Sequence, residues 1–222
     1  GSIAFDRSVY PVPWTANDLS TGDATTTTAT QTEAGKVTAW ITVSDVDETN
    51  DTLTTGTSSA AGTILIKHTN ATGSVTIASA GSIYAVDATA GTVAAELGPL
   101  SEIALGSSEF EVALTISETM GYASGSVTIQ AGDVITARYV DTADNAGSTS
   151  TFYDSSTFDL RTGTLSVDKD VYVMGSDMVI TITDPDLNTD SGSSQSYTMD
   201  ILEWDSAADS SVLLNVSSSF SS

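Results

Sequence analysis

Residues 184–190 read DPDLNTD and residues 45–51 read DVDETND; each set directly follows an alternating, strand-like run, DMVITIT in one case and VTAWITVS in the other. The spacing D-x-D-x-N-x-D at Asp184, Asp186, Asn188 and Asp190 reproduces the first four ligand positions of a calcium loop, where alternate residues of a tight turn point inward at one hard cation. The match stops there, because Thr189 stands where such a loop needs Gly and Gln195 where it needs a bidentate Glu. The earlier copy offers Asp45, Asp47 and Asp51, with Thr49 in place of Asn188, and a third cluster, DTADNAG, supplies Asp141, Asp144 and Asn145 after the run DVITARYV. Two readings stand side by side. Asp and Asn are good turn formers through Asx turns and tolerance of left-handed backbone. Alternatively, carboxylates this dense repel one another unless a divalent cation, Ca²⁺ being the expected one, sits among them. The affinity would then be that of extracellular modules, on the order of 10⁻⁴ to 10⁻³ M.

No second chemistry competes well. His68 is the only histidine, which leaves an imidazole metal site or a Ser/His/acid triad without partners. Glu109 and Glu111 share one strand face, as glycosidase carboxylates do, but two neighbours on a solvated face is the ordinary explanation. Tyr10, Tyr139, Tyr172, Trp14, Trp40 and Trp204 are scattered singly, which fits packing or interface burial better than a sugar-stacking platform. No Gly-rich phosphate loop is visible, and an enzyme is not expected. Three N-x-S/T triplets, at Asn50, Asn70 and Asn215, are glycan acceptors if the protein is exported.

Charge narrows the partners. Asp plus Glu number 29 against 6 Lys plus Arg, a formal net charge of -23, which excludes the positive phosphate-tracking surface that nucleic-acid binding needs. With 40% hydrophobic and only 16% charged residues the chain is too apolar for a disordered acidic tail. It contains no Cys, so burial or oxygen-ligated cations must stabilise it. No apolar run approaches the ~20 residues that span a bilayer, and no basic stretch precedes an apolar one, so neither membrane insertion nor a signal peptide is expected within this segment.

The elements that carry these clusters come in two copies. GSIAFDRSVYPV matches GTLSVDKDVYVM at a constant offset of 162 residues, which pairs Asp6 with Asp168, Arg7 with Lys169 and Tyr10 with Tyr172. The first copy then carries an extra 23 residues, and the offset falls to 139 where Asp45 meets Asp184. Beyond the acidic motif GTILIKHTNATG resembles YTMDILEWDSAAD, after which the second copy runs out, with the equivalent of about residues 102–160 missing. The expected domains are therefore 3–161, a first module with an insertion at about 14–36, and 162–222, the first part of a second module. The latter cannot close its own core unless a neighbouring chain or a continuation supplies the strands.

FEVALTI alternates, with Phe110, Val112, Leu114 and Ile116 on one face, and VTAWITV does likewise through Ala39, Ile41 and Val43, matched in the second copy by Met178, Ile180 and Ile182. The expected fold is all-β, immunoglobulin-like antiparallel β-sandwich modules in tandem. The one helix-like stretch, DATAGTVAAEL, is short and interrupted by Gly91.

FDRSVYPVPW with its insertion, GDVITARYVDTADNAGST, DSSTFDLRTGTLSVDKDVYVMGSDMVITITDPDLN and ILEWDS, in this order, resemble the surface-layer proteins of ammonia-oxidising archaea of the marine type. The resemblance covers nearly the whole chain. It implies a string of immunoglobulin-like domains that tiles the cell surface as a porous lattice with bound divalent cations, of which this chain would be a segment or a smaller relative. The implied partners are other copies of itself and small cations drawn by its charge. The alternative is an extracellular adhesin or filament subunit assembled by strand complementation.

Overall fold

The computed structural model describes residues 1–14, 35–47, 52–53, 64–80, 95–97, 100–122, 124–141, 146–198, 203–206, 209–213 and 219–221. The described residues are all-β apart from one 3-10 turn, and no helix among them is long and apolar enough to cross a membrane. The strands are β1 (Ser2–Phe5), β2 (Val9–Pro11), β3 (Val37–Ser44), β4 (Thr52–Leu53), β5 (Ile64–Asn70), β6 (Gly73–Ala80), β7 (Ala95–Glu96), β8 (Leu100–Glu102), β9 (Glu109–Ile116), β10 (Thr119–Tyr122), β11 (Gly125–Thr128), β12 (Val134–Asp141), β13 (Ser150–Asp159), β14 (Thr164–Val167), β15 (Ile180–Thr183), β16 (Ser196–Thr198), β17 (Glu203–Ser206), β18 (Asp209–Leu213) and β19 (Ser219–Ser221). Most of the helix-like stretch lies outside the described residues; its Ala95–Glu96 is strand.

Two sheets dominate. One has the order β1-β3-β9-β8-β4 and is antiparallel throughout; the other, β2-β13-β12-β5-β6-β7, is antiparallel except at its two ends, where β2 and β7 pair parallel. The period-2 patterns decide which face each strand buries. Val37, Ala39, Ile41 and Val43 on β3 and Phe110, Leu114 and Ile116 on β9 form the inner face of the first sheet. Ile64 and Ile66 on β5, Ile135, Ala137 and Tyr139 on β12 and Phe158 on β13 form that of the second. All belong to one hydrophobic cluster, sandwich-like, in which each fully buried Ile, Leu or Phe contributes about 1.5–3 kcal/mol. His68 is part of this interior: its Nε2 lies 2.8 Å from Asp133 Oδ2, whose second task is to accept the Gln130 N–H. It is a paired core histidine.

Trp14 and Gly35 form an isolated antiparallel bridge, so the chain leaves and returns at one point around the inserted residues. The bridge requires glycine, since a β-carbon on Gly35 would lie 2.0 Å from Trp14 Cε2.

The repeat read from the sequence is also a repeat of hydrogen bonds. β1 pairs with β3 from Ser2↔Ser44 to Phe5↔Ile41, and β14 pairs with β15 from Thr164↔Thr183 to Val167↔Ile180, the same register after the two offsets. Asp6 N–H donates to Trp40 O and Asp168 N–H to Val179 O. Asp6 Oδ1 accepts the Trp40 N–H at 2.9 Å and the Tyr10 hydroxyl; Asp168 Oδ1 accepts the Val179 N–H at 2.9 Å and the Tyr172 hydroxyl. Arg7 and Lys169 each lie 3.4 Å from the Asp that precedes them. One carboxylate thus ties a strand, its turn and the next strand together in both copies.

Their surroundings differ. Tyr10 is fully buried, edge-on to Phe5 at 6.2 Å and against Phe158 at 6.1 Å. Burial, then its bond to Asp6, raise its phenol well above the ordinary value, so it stays a donor. Tyr172 is only half-buried, and Met178, Ile180 and Ile182, aligned with a closed core face in the first copy, are half-buried too. The described residues contain no second-copy counterpart of β9, β12 or β13, and the pair β17·β18 stands as a separate hairpin where β5·β6 continues into β12.

We expect Asp6→Ala to cost about 2–3 kcal/mol of stability, read as a lower urea midpoint, because charged-acceptor hydrogen bonds are worth about 1.5–3 kcal/mol each and the Tyr10 hydroxyl would stay buried. Asp168→Ala, at the exposed copy of the turn, should shift the midpoint much less. Equal shifts would show that the hydrogen bond, and not its burial, sets the cost.

Candidate functional site

The DPDLNTD turn is built locally and then docked. Asp184, extended at φ -140, ψ 108, accepts the Asp186 N–H on its side chain at 2.9 Å and caps a 3-10 turn, Pro185–Leu187, with Pro185 at its start. Asp45 makes the same Asx turn in the first copy, accepting the Asp47 N–H at 3.2 Å. The spaced carboxylates that the two copies share therefore have an architectural use at the first two positions.

In the second copy the remaining acceptors face protein donors. Arg161 grips Asp186 with its backbone N–H at 2.6 Å and Nε at 3.0 Å, while its Nη2 reaches Pro185 O at 3.0 Å. Arg7, from the turn after β1, donates to Asn188 O at 2.6 Å and Asn188 Oδ1 at 2.9 Å. Trp40 Nε1 donates to Asp190 Oδ1 at 2.9 Å, and the Gly192 N–H and Ser193 hydroxyl each reach Asp190 at 2.8 Å. The Ser191 hydroxyl donates back to Asp6 Oδ2 at 2.5 Å. Leu187 O accepts the Tyr197 hydroxyl.

A sheet edge explains why the turn lands here. β1 covers β3 only from Ile41 to Ser44, and beyond it the Thr38 N–H donates to Thr189 O at 2.8 Å. Thr189 is buried by that contact. Gly192 lies beneath the Trp40 indole, where a β-carbon would meet Nε1 at 3.2 Å. Beside the joint is a cleft of about 640 Å³, lined by Val12, Trp14, Ile129, Leu160, Asp184 and Leu187 among others.

The first-copy cluster sits at the other end of β3. Asp45 and Asp141 are both buried, at 3% and 4% exposure, and the Tyr139 hydroxyl donates to Asp45 Oδ2. The Gly1 amino group lies 3.6 Å from Asp141 Oδ2, and a β-carbon on Gly1 would lie 3.5 Å from Asp45 Oδ2. The structure thus brings Asp45 and Asp141, the first residues of DVDETND and DTADNAG, to one end of the large sheets. Asp51, Asp144, Asn145, Thr49, Asn50 and Asn215 lie outside the described residues. Among the described residues no three acidic or imidazole side chains converge on a metal position. Asn70 ends β5, where its Oδ1 accepts the Thr72 N–H at 2.9 Å in a surface turn. Glu109 is exposed and Glu111 half-buried.

Sequence reasoning missed the donors: Arg7, Arg161 and Trp40 were not assigned to the acidic turn. Their signal was scarcity. The chain has only six basic side chains against 29 acidic ones, and two of the six are spent on this turn. Neither a protein-family model nor a curated protein sequence matches the chain.

Asp190 gives the joint a pH dependence. Partial burial pushes its carboxyl up, but the bonds from Trp40, Gly192 and Ser193 outweigh this and hold it below the ordinary carboxylate value. A depressed folded-state value means stabilisation that is fully present above the unfolded carboxylate pKa and is lost as the pH falls through the folded one. The Trp40 indole N–H resonance should therefore move on acidification below the ordinary carboxylate range, and Asp190→Asn should abolish that transition. An indole signal indifferent to both would remove Asp190 from the joint.

Proposed function

We propose that this chain is a structural cell-surface protein, a segment of a surface-layer lattice subunit built from immunoglobulin-like β-sandwich modules in series. The first module is 3–161, with its insertion at about 14–36, and 162–222 begins the second. The observation that carries the reading is the joint: the acidic turn of one repeat is held by backbone, guanidinium and indole donors of the preceding one. Repeats tied to one another by several hydrogen bonds suit a load-bearing array better than a flexible binding tether. The resemblance to surface-layer proteins of ammonia-oxidising archaea agrees with it.

Charge supplies the assembly mechanism. At -23 the free chain is kept soluble by self-repulsion, and cations that neutralise its carboxylates permit like-charged copies to pack. The place for a divalent cation, Ca²⁺ by its oxygen donors, is the end of the first module where Asp45 and Asp141 are both buried, with Asp47 next along the same Asx turn. A bound cation would neutralise two carboxylates withdrawn from water at one end of a sandwich. The setting is extracellular, and the partners are further copies of the chain and small cations. No catalysis is assigned.

Calcium should raise the melting temperature, with a stabilisation of about 2.7 kcal/mol at one hundred times Kd, and the paired substitution Asp45→Asn and Asp141→Asn should remove the effect. Electron microscopy of the purified chain tests the assembly itself. Ordered sheets that disappear on chelation are the expected result. A chain that stays dispersed with calcium, or forms fibres indifferent to a chelator, would overturn the lattice reading, and the fibres would point to strand-complemented filaments.

A further inference from the structure

In the first repeat β13 completes the turn that Asp6 organises. It runs parallel to β2 with Thr157↔Val9, Phe158↔Tyr10 and Asp159↔Pro11. Its Phe158 packs against Tyr10, and four residues earlier Asp154 Oδ2 accepts the Phe5 N–H at 2.7 Å. The offset of 162 carries the receiving positions into the second repeat: Val9, Tyr10 and Pro11 become Val171, Tyr172 and Val173, and Phe5 becomes Val167. The Asp168 bonds to Tyr172 and Val179 and the β14–β15 register repeat those around Asp6.

What is absent from the described residues is a strand in the place of β13. Ile3 and Phe5 are 8% and 9% exposed, whereas their counterparts Leu165 and Val167 are 63% and 50% exposed. Val171, Val173 and Met174 are 81%, 80% and 101% exposed, and residues 171–173 belong to no sheet although their counterparts form β2. Exposed apolar residues beside a segment that enters no sheet, with a turn bond running from the Ser176 N–H to Val173 O, form an interaction surface, and the first repeat shows what fits it.

We propose that the second repeat binds an extended strand of a partner segment with the β13 pattern, a carboxylate four residues before an aromatic. The strand runs parallel to residues 171–173, sets its aromatic ring on Tyr172 and accepts the Val167 N–H on its carboxylate. Main-chain bonds supply affinity, while the acid and the ring fix register and direction. Both sides are acidic, so added salt strengthens the association by screening. The inference uses only the internal repeat and stands apart from the lattice reading.

A labelled peptide of residues 133–160, which presents β13 beside its natural neighbour β12, is titrated with the full chain and followed by fluorescence anisotropy. Saturable binding is expected, weakened at least tenfold by Tyr172→Asp in the chain, and likewise by Phe158→Ser or Asp154→Ala in the peptide. Tyr172 is on the surface turn, so the variant should leave the main thermal transition unchanged. Absence of binding at millimolar concentration overturns the proposal. So does binding that ignores Tyr172→Asp, which would mean exchange into the first repeat, or that tolerates Phe158→Ser.

Discussion

A single side chain, the Asp6 carboxylate, is where the architecture converges. It accepts from the Tyr10 hydroxyl and the Trp40 backbone on one oxygen and from the Ser191 hydroxyl on the other. The first two bonds pin β2 and β3 to the end of β1. The third reaches across to the next repeat. A charged acceptor that takes a tyrosine hydroxyl and a strand N–H on one oxygen binds both more strongly than a neutral side chain would, which accounts for the same Asp at the same point of both copies. Among the described residues the third donor is present only in the first copy, and only there is the tyrosine packed against a phenylalanine, Phe158.

Charge scarcity then shapes the rest. With six basic side chains among 29 acids, most carboxylates must be satisfied by backbone N–H, hydroxyl or indole donors. Glu102 shows the pattern in the β8–β9 connection: the N–H groups of Ser108 and Gly106 hold it below the ordinary carboxylate value without a cation nearby. Asp168 is lowered first by the Tyr172 hydroxyl and the Val179 N–H, with Lys169 3.4 Å away adding to them. Guanidinium groups appear at the joint instead, where Arg7 and Arg161 each bind two acceptors in fixed geometry.

Much of this was legible in the sequence because it was local. Period-2 alternation in VTAWITVS and FEVALTI gave the buried faces of β3 and β9, and the offsets of 162 and 139 gave a repeat that the hydrogen bonds reproduce residue by residue. The acidic turns were visible as motifs but not their occupants. The D-x-D-x-N-x-D spacing says that oxygens line a turn; it does not say whether a metal or a guanidinium faces them. The protein donors that reach the second turn, Arg7 and Trp40, come from 181 and 150 residues away. Likewise, burial of Asp45 with Asp141 follows from β3 and β12 ending at the same edge of facing sheets, which no single-strand pattern encodes.

The repeat is imperfect at the positions that make the joint, and that imperfection makes the two copies unequal as receptors for an acidic turn. Arg7 is replaced by Lys169, which lacks the planar fork needed to bind the carbonyl and side chain of an Asn together. Trp40 is replaced by Val179, which has no side-chain donor for an Asp190 equivalent and no ring to cover a glycine. A third repeat could not seat its acidic turn on the second as the second does on the first. The acidic turn is common to both copies while its receptor is not, so the contact distinguishes one neighbour from another. The asymmetry therefore lies in the receptor side of the joint, where Lys169 and Val179 of the second copy stand in place of Arg7 and Trp40.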